Sequence, residues 1–358
     1  MTASSDSKPD PKALRIAAAQ EPDSALHYAQ WGRTLLAAGD AVAARPLLRR
    51  AVRLRPDWQE GWHSLCLIEA FFGHTGSAIE ALRNSGGGLA APLPGPADLA
   101  CVLGGVPKRH PPVSGALRVI YRISDGGYPK PKIADKRTCL RNFLDVMALP
   151  AENIQVVADN CGAETLAMIA AEERRRYGAR GVVRVHETSL GNGHSWIFAR
   201  NLAMEWPDED VVYLIEDDYL HRPGSAAVML EGLERADYVS LYDHADKYMD
   251  FRNGGNPLVS HGGELTRLIR TKSCHWKFTQ GTTMTFAVRV GTLRADSAVF
   301  DRFADRRHPD DYRIFVNLIL QGRTVLTPVP GLSTHGEPGY LAPGVDWQAV
   351  ADLYRDPA

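Results

Sequence analysis

Residues 211–221 read V-V-Y-L-I-E-D-D-Y-L-H. Five mostly apolar residues run straight into three consecutive carboxylates, Glu216, Asp217 and Asp218. The apolar half predicts a buried strand, because a strand covered on both faces carries a continuous apolar run. Three acids at its end raise one another's pKa unless a cation shares the space. A hard divalent ion, held by one or two carboxylates and by substrate phosphates, meets that need. A solvated acidic turn after a strand is the plain alternative. The rest of the chain decides between the two.

Working backward from this stretch, strand-like and helix-like segments alternate. Residues 117–123 (L-R-V-I-Y-R-I) predict a strand, followed by the turn-rich loop S-D-G-G-Y-P at 124–129. A helix is expected over 132–147, with Ile133, Leu140, Phe143, Leu144 and Met147 on its apolar positions. A second strand at 154–158 ends at Asp159-Asn160, and a helix at 164–177 follows. A short strand at 182–186, the loop S-L-G-N-G at 189–193 and a helix at 195–205 lead back to 211. Such alternation implies a parallel sheet with helices on both faces. Ligands of these sheets bind beyond the carboxyl ends of the strands. The loops at 124–128, 159–160, 190–194 and 216–218 all lie at such ends and converge on one crevice. Ser124, Asp159, Asn192 and Asp217 lie on these loops and Arg122 just before the first of them, which makes them candidate ligand-binding residues.

Length and composition bound the alternatives. The 358 residues suffice for two or three domains, and the 44% apolar content supports a sizeable core. With 41 basic and 42 acidic residues the formal net charge is −1, so nothing draws the chain to nucleic acid or anionic lipid. The run Arg174-Arg175-Arg176 falls in a helix-like stretch and reads as a solvated face. Five cysteines (Cys66, Cys101, Cys139, Cys161 and Cys274) show no C-x-x-C spacing, which argues against a zinc cluster and a disulfide framework. A reducing compartment, the cytoplasm, fits that usage. The polar first residues are no signal peptide, and no stretch approaches the ~20 apolar residues of a membrane span.

The first ninety residues carry a repeat. Tyr28 aligns with Trp62, Trp31 with Leu65, Gly39 with Gly73, Ala44 with Ala78 and Leu48 with Leu82, each pair 34 apart (62 − 28, 65 − 31). Pro22 lies 34 before Pro56, and Leu14 and Ala17 match Leu48 and Ala51 in the same way. The segment resembles a tetratricopeptide array of about two and a half units. Each such unit is a helix pair that cannot bury its apolar face alone. An array this short implies support from the next domain or from another copy, and a role in acceptor docking, oligomerisation or packing. Residues 84–115 are rich in Gly and Pro, with room for one short helix at 97–103. The expected division is a helical repeat domain at 1–90, a linker at 91–115 and an α/β domain at 116–358.

The second part carries its own resemblance. A strand ending at Asp159-Asn160, G-N-G…A-R-N over 191–201 and a strand ending in E-D-D at 216–218 resemble a nucleotide-sugar-dependent glycosyltransferase of the GT-A fold, closest to the family 2 type. The resemblance implies that Asp159 contacts the base, that Asn192 and Arg200 help hold the nucleotide, and that Asp218 ligates a divalent manganese or magnesium ion on the diphosphate. Glu216 departs from the D-x-D pattern by standing where an Asp is usual. Downstream, G-T-T-M-T-F at 281–286 resembles the segment that shapes the sugar and acceptor pocket. Asp310-Asp311-Tyr312…Leu318…Gln321-Gly322 resembles the pattern whose second acid is the catalytic base of inverting members. His335, in P-G-L-S-T-H-G-E-P, sits where some relatives carry an extra metal ligand. The resemblance thus implies Asp311 and Asp310 as catalytic residues and Asp218, Glu216 and His335 as metal ligands. It also implies a nucleotide-diphosphate sugar as donor and an acceptor of unspecified class: peptide, glycan, lipid carrier or small metabolite. His244, His261, His275 and Trp276, in the irregular stretch 242–280, are candidates for the acceptor side.

Two other functions compete with that expectation. One is a scaffold or peptide-binding protein whose transferase domain is inactive, against which the intact acids at 216–218 and 310–311 stand. The other is a nucleotidyltransferase on a related sheet. That enzyme wants a basic glycine-rich first loop, whereas 124–128 holds no basic residue and Lys130 and Lys132 follow it.

Overall fold

The structure is a computed structural model and describes residues 10–37, 40–71, 74–85, 105, 108–126, 132–178, 182–249, 263–264 and 266–356. The Gly39–Gly73 pair, most of the linker with its expected helix, Gly127, Tyr128, Lys130 and His261 lie outside the described residues. The chain divides into two compact units, one drawn from Met1–Asp98 and Tyr248–Leu265, the other from Leu99–Lys247 and Thr266–Ala358.

The first unit is helical: α1 (Pro11–Gln20), α2 (Ala25–Ala37), α3 (Ala41–Leu54), α4 (Gln59–Phe71) and α5 (Thr75–Asn84). Asp10 and Asp40 accept hydrogen bonds from the amides of Lys12 and Ala43, both at 3.0 Å, capping α1 and α3. Starts at 25 and 59, and at 41 and 75, put successive helix pairs 34 residues apart (59 − 25, 75 − 41). Leu14, Ala44, Leu48, Leu65, Ala78 and Leu82 are buried between the helices. Close approach explains the small residues: a Cβ on Gly32 of α2 would stand 2.8 Å from Leu48 Cγ of α3. Among the described residues of this unit one charge is buried, Glu69, and it is paired with Arg45 at 3.0 Å, Arg49 at 2.7 Å and His74 at 3.0 Å. Burial alone would raise the Glu69 carboxyl, but hydrogen bonds from those three residues outweigh it and hold the pKa below the ordinary value.

The second unit contains β1 (Leu117–Ser124), α6 (Lys136–Met147), β2 (Ile154–Asp159), α7 (Ala163–Tyr177), β3 (Arg184–Thr188), α8 (Asn192–Ala203) and β4 (Val211–Glu216). It continues with β5 (Tyr219–His221), α9 (Ser225–Leu233), β6 (Tyr238–Val239), β7 (Leu268–Arg270), β8 (His275–Phe278) and β9 (Phe286–Arg289). The last elements are α10 (Val290–Ala295), α11 (Ser297–Ala304), α12 (Asp311–Leu320), β10 (Val325–Val329), β11 (Ser333–His335) and α13 (Trp347–Asp352). Nine strands form one sheet in the order β3-β2-β1-β4-β9-β6-β10-β8-β7. The first four are mutually parallel. β9 is antiparallel to both β4 and β6, β10 is parallel to β6, and β8 is antiparallel to β10 and β7. Seven of the nine strands therefore point one way, and β9 and β8 are reversed. The mixed half of the sheet grows out of the stretch after 238, which the sequence pattern left irregular.

The apolar strands are covered on both faces. On one face Tyr121 of β1 meets Phe143 of α6, ring centroids 5.0 Å apart. On the other, Trp196 of α8 stacks on Phe300 of α11 at 5.1 Å and lies 6.3 Å from Phe286 of β9. All six residues of β4 except Glu216 are buried, which accounts for its unbroken apolar run. The helix expected from 132 begins instead at 136, because Asp135 accepts the Thr138 amide at 2.7 Å and caps it there. That later start leaves Lys132 outside the helix. β11 pairs antiparallel with β5 in a separate two-stranded sheet, with His335 opposite Tyr219. No helix among the described residues is long and apolar enough to cross a membrane.

Candidate active site

A cavity of about 900 Å³ opens at the carboxyl ends of β1, β2 and β4. Its wall includes Arg122, Ser124, Asp159, Asn192, Glu216, Asp217, Asp218, Asp311 and His335. Of the eleven residues expected to act, bind the donor or hold a metal, nine meet here. Asp310 and Arg200 do not.

The turn after β4 splits its three acids. Glu216 is turned to Arg122, whose Nη1 donates to Oε1 at 3.1 Å. The same guanidinium donates from Nη2 to the carbonyl and the side-chain oxygen of Asn192 and to Ser195 Oγ, at 2.9, 2.8 and 3.0 Å. Arg122 thus ties β1, the turn and the start of α8 together. Asp217 accepts the Ser124 amide at 3.1 Å. Burial, then the neighbouring charge of Asp218, pushes the Asp217 carboxyl up to about 6. Asp218 is displaced in the opposite direction. Burial would raise it, but a hydrogen bond from His335 and the charges of His335 and Lys132 hold it well below the usual carboxylate range. His335 Nε2 lies 3.1 Å and Lys132 Nζ 3.0 Å from the same oxygen, Asp218 Oδ2. Two backbone bonds fix this meeting: Gly336 N donates to Asp218 O at 2.7 Å, and Ile133 N donates to Gly336 O at 2.9 Å.

The three-ligand set of Glu216, Asp218 and His335 is not assembled: Glu216 is turned to Arg122, while His335 lies against Asp218. Among the described residues no group of three or more His, Cys, Asp or Glu side chains is arranged to hold a metal ion. A two-residue set fits once His335 gives up the proton it donates to Asp218. Two ligands ~2.1 Å from one ion at right angles stand ~3.0 Å apart, and Asp218 Oδ2 and His335 Nε2 are separated by 3.1 Å.

Asp159 is buried at the end of β2. Its two oxygens accept from Leu190 N, Gly191 N, Thr188 Oγ1 and Asn160 Nδ2, at 2.6, 3.0, 2.9 and 2.9 Å. Four donors fill the lone pairs of a carboxylate, so Asp159 builds the 188–191 loop and has no acceptor left for a base. Gly191, at φ 82, turns that loop into α8.

The second acid pair starts α12. Asp310 accepts the Arg313 amide at 3.1 Å and is flanked by Arg306 at 3.3 Å, so it is the helix cap and stands off the cavity wall. Asp311 lines the cavity, its Oδ1 accepting the Tyr312 amide at 2.7 Å. Burial pushes the Asp311 carboxyl up to about 6; the charges of His244 and Lys247 oppose the rise and that of Asp310 adds to it. Arg200, eight residues into α8, is buried against α11, donating to Asp301 at 2.6 Å and to Ser297 O at 3.2 Å. Its role is to brace two helices. Trp276 is core, its Nε1 donating to Thr271 Oγ1 at 2.9 Å, and His275 is exposed at the start of β8.

The cavity also recruits cations that the sequence reading did not place. Lys132, Lys136, Arg307 and His308 line it. Lys136 donates to Asp125 Oδ1 at 2.6 Å. The segment bearing Arg307 and His308 is pressed onto α8, where a Cβ on Gly193 would fall 1.8 Å from Arg306 O. The available signal was the R-R-H-P run at 306–309 just ahead of the acid pair.

No family model matches the chain, and no curated protein matches it by sequence. Solved structures that resemble it include a mutant O-GlcNAc transferase from Thermobaculum terrenum, at 15% identity and TM-score 0.25, over 55% of this chain and 33% of that one. Another is the galactosyltransferase LgtC with donor and acceptor sugar analogues, at 12% identity and TM-score 0.34, over 59% of this chain and 72% of that one. The chain spans about a third of the length of the first. Superpositions this loose carry no argument about activity.

Proposed function

We propose that the second unit is a glycosyltransferase that moves a sugar from a nucleotide diphosphate to an acceptor hydroxyl, with inversion. One observation carries this reading. A single cavity of about 900 Å³ brings together a strand-end acid that pairs with cations, Asp218, and a separate acid whose pKa is raised to about 6, Asp311. A site for a charged leaving group and a base for a neutral nucleophile are what the transfer requires. The bond between the anomeric carbon and the diphosphate oxygen breaks. The acceptor oxygen bonds to that carbon from the opposite face and its proton passes to Asp311. Such a transition state is oxocarbenium-like, and one base suffices without a covalent intermediate. General-base action of this kind contributes ~10²–10⁴ in rate.

Asp218 and His335 would hold the divalent ion, manganese or magnesium, and Asp217 would stay behind them on the Ser124 amide. When bound, such an ion neutralises the departing diphosphate as a Lewis acid. Lys136, Arg307 and the free amides opening α8 supply further positive potential along the wall. We read residues 1–90 as a tetratricopeptide module, 91–115 as a linker and 116–358 as the transferase domain. The recurrence of helix starts at 34 residues supports the first of these. The module is assigned to acceptor docking or self-association, and the solution mass of the full chain tests the latter.

Lys132, just after the first loop, and Lys136, at the start of α6, line the cavity and favour one competing reading, a nucleotidyltransferase whose lysines there bind phosphates. A thermal-shift panel of nucleoside diphosphates with and without manganese tests the main reading, since a ligand of the native state raises the melting temperature by mass action. A shift with one diphosphate, enhanced by manganese, followed by sugar transfer from the matching nucleotide sugar is the expected result. Pyrophosphate release instead would favour the competitor.

A further inference from the structure

We propose that Lys132 occupies the cation position on Asp218 until a donor diphosphate draws it away, so that divalent-ion binding at this turn depends on the donor. The inference rests on reading the 216–218 turn as the diphosphate end of the site. Lys132 Nζ and His335 Nε2 converge on one oxygen, Asp218 Oδ2, at 3.0 and 3.1 Å. An ammonium and a divalent ion cannot both sit on that oxygen, because like charges at such separations repel strongly even where solvent screens them. Among the described residues the other lysine on the cavity wall is committed elsewhere: Lys136 donates to Asp125 at 2.6 Å and stands 3.9 Å from Asp217. Glu216 is turned to Arg122, which donates to its Oε1 at 3.1 Å.

The local structure suits an ammonium that departs. Lys132 precedes the cap of α6 and so is free of the helix, while the adjacent Ile133 amide is pinned to Gly336 O at 2.9 Å. Its backbone therefore stays in place while its flexible four-carbon stem carries the charge. Lys132 lines the same cavity as Ser124, Gly126 and Asp218, and its ammonium meets Asp218 there. A diphosphate arriving there offers the ammonium a second anionic partner and frees Asp218 Oδ2. Linkage then makes the effect reciprocal: donor and divalent ion each tighten the binding of the other by the same factor.

The test is a manganese titration of the full chain, with bound metal read from the loss of the free-ion paramagnetic resonance signal. It is run with the metal alone and with uridine, guanosine and adenosine diphosphate in turn. Wild-type protein is expected to bind manganese weakly alone and at least about tenfold more tightly with one of the three diphosphates, within the range usual for coupled sites. Lys132→Met, which keeps the stem, and Lys132→Gln should each bind manganese alone about tenfold more tightly than wild type. Both should show a smaller enhancement by nucleotide than wild type, the remainder being what the phosphates supply as ligands. Lys132→Arg should behave as wild type, because it keeps the charge. Equal affinity for manganese alone in wild type and both neutral variants overturns the inference. So does wild-type protein that binds manganese as tightly alone as with nucleotide. If Asp218→Asn abolishes binding in those cases, only the role of Lys132 falls. If no form binds manganese in any mixture, the divalent-ion reading of the turn falls with it.

Discussion

The turn at 216–218 and the helix start at 310–311 are both runs of adjacent acids, and each is divided between scaffold and chemistry by a different rule. In the turn, burial and mutual repulsion separate the pair: Asp217 is pushed up to about 6 and Asp218 is held low by Lys132 and His335. At the helix start, backbone geometry does it. Asp310 takes the cap position and its amide bonds, so Asp311, one step on, faces the cavity. Adjacency of like charges thus says little about which one acts. What decides is the position each backbone site imposes and the cations within reach.

Substitution of Asp311 should separate the two regions most sharply. Asp311→Asn keeps the size of the side chain but cannot take the proton, so single-turnover transfer should fall by at least ~10²-fold. Calorimetric donor affinity should hardly change. A near-normal rate would dissolve the division of labour, and a retained anomeric configuration in the product would reject the single-base mechanism.

Next comes Asp218→Asn, which should abolish the manganese-dependent part of the melting shift. At a ligand concentration of 100 Kd a single site stabilises by about 2.7 kcal/mol. An unchanged shift would move the ion elsewhere.

The raised pKa of Asp311 has a signed consequence. Its folded value is about 6, against ~3.9 for an unperturbed Asp. Between those values the folded state holds more protons than the unfolded one. Stability associated with this group is therefore present below pH ~4 and is lost as pH rises through about 6. The charges that act on it most are those of His244, Asp310 and Lys247. Melting curves of wild type and Asp311→Asn should coincide near pH 4, with the variant gaining on wild type by pH 7. Transfer by wild type should rise over the same interval, since only the ionised form accepts a proton. Parallel melting profiles would contradict the assignment of burial as the cause.

The smallest effect belongs to Asp310→Ala. Loss of a cap costs about 1 kcal/mol, or roughly 2–4 °C for a domain of this size, with the transfer rate close to wild type. A collapse of rate in this variant alone would exchange the roles of the two residues.

Much of this was legible beforehand where the physics is local. β1, β2 and β4 are continuous apolar runs, and the strand–helix alternation around them follows from period and turn chemistry. The stretch beyond 238 was not, because β6 has two residues and β7 three, too short for any period to register. Within the site the acids stood out as runs. Their partners did not: Arg122 and Glu216 are 94 residues apart, and Lys132 reaches Asp218 only because Ile133 is tethered to Gly336. Asp310 and Asp311 could not be ranked until the start of α12 was known. Arg200 looked like a binding residue from its A-R-N setting, but two turns of helix carry it away from the crevice.

Asp159 has a consequence for anyone who would retune such a protein. A carboxylate whose four lone pairs are taken by Leu190, Gly191, Thr188 and Asn160 behaves as a keystone. On the proposed reading, replacing it to change which nucleotide is accepted would slacken the loop and leave preference undirected. Selectivity would be redesigned instead at the exposed positions it props up, Ser189 and Asn160, which already meet side chain to side chain at 2.5 Å. The residue that most resembles a reader of the ligand is the one that an engineer should leave alone.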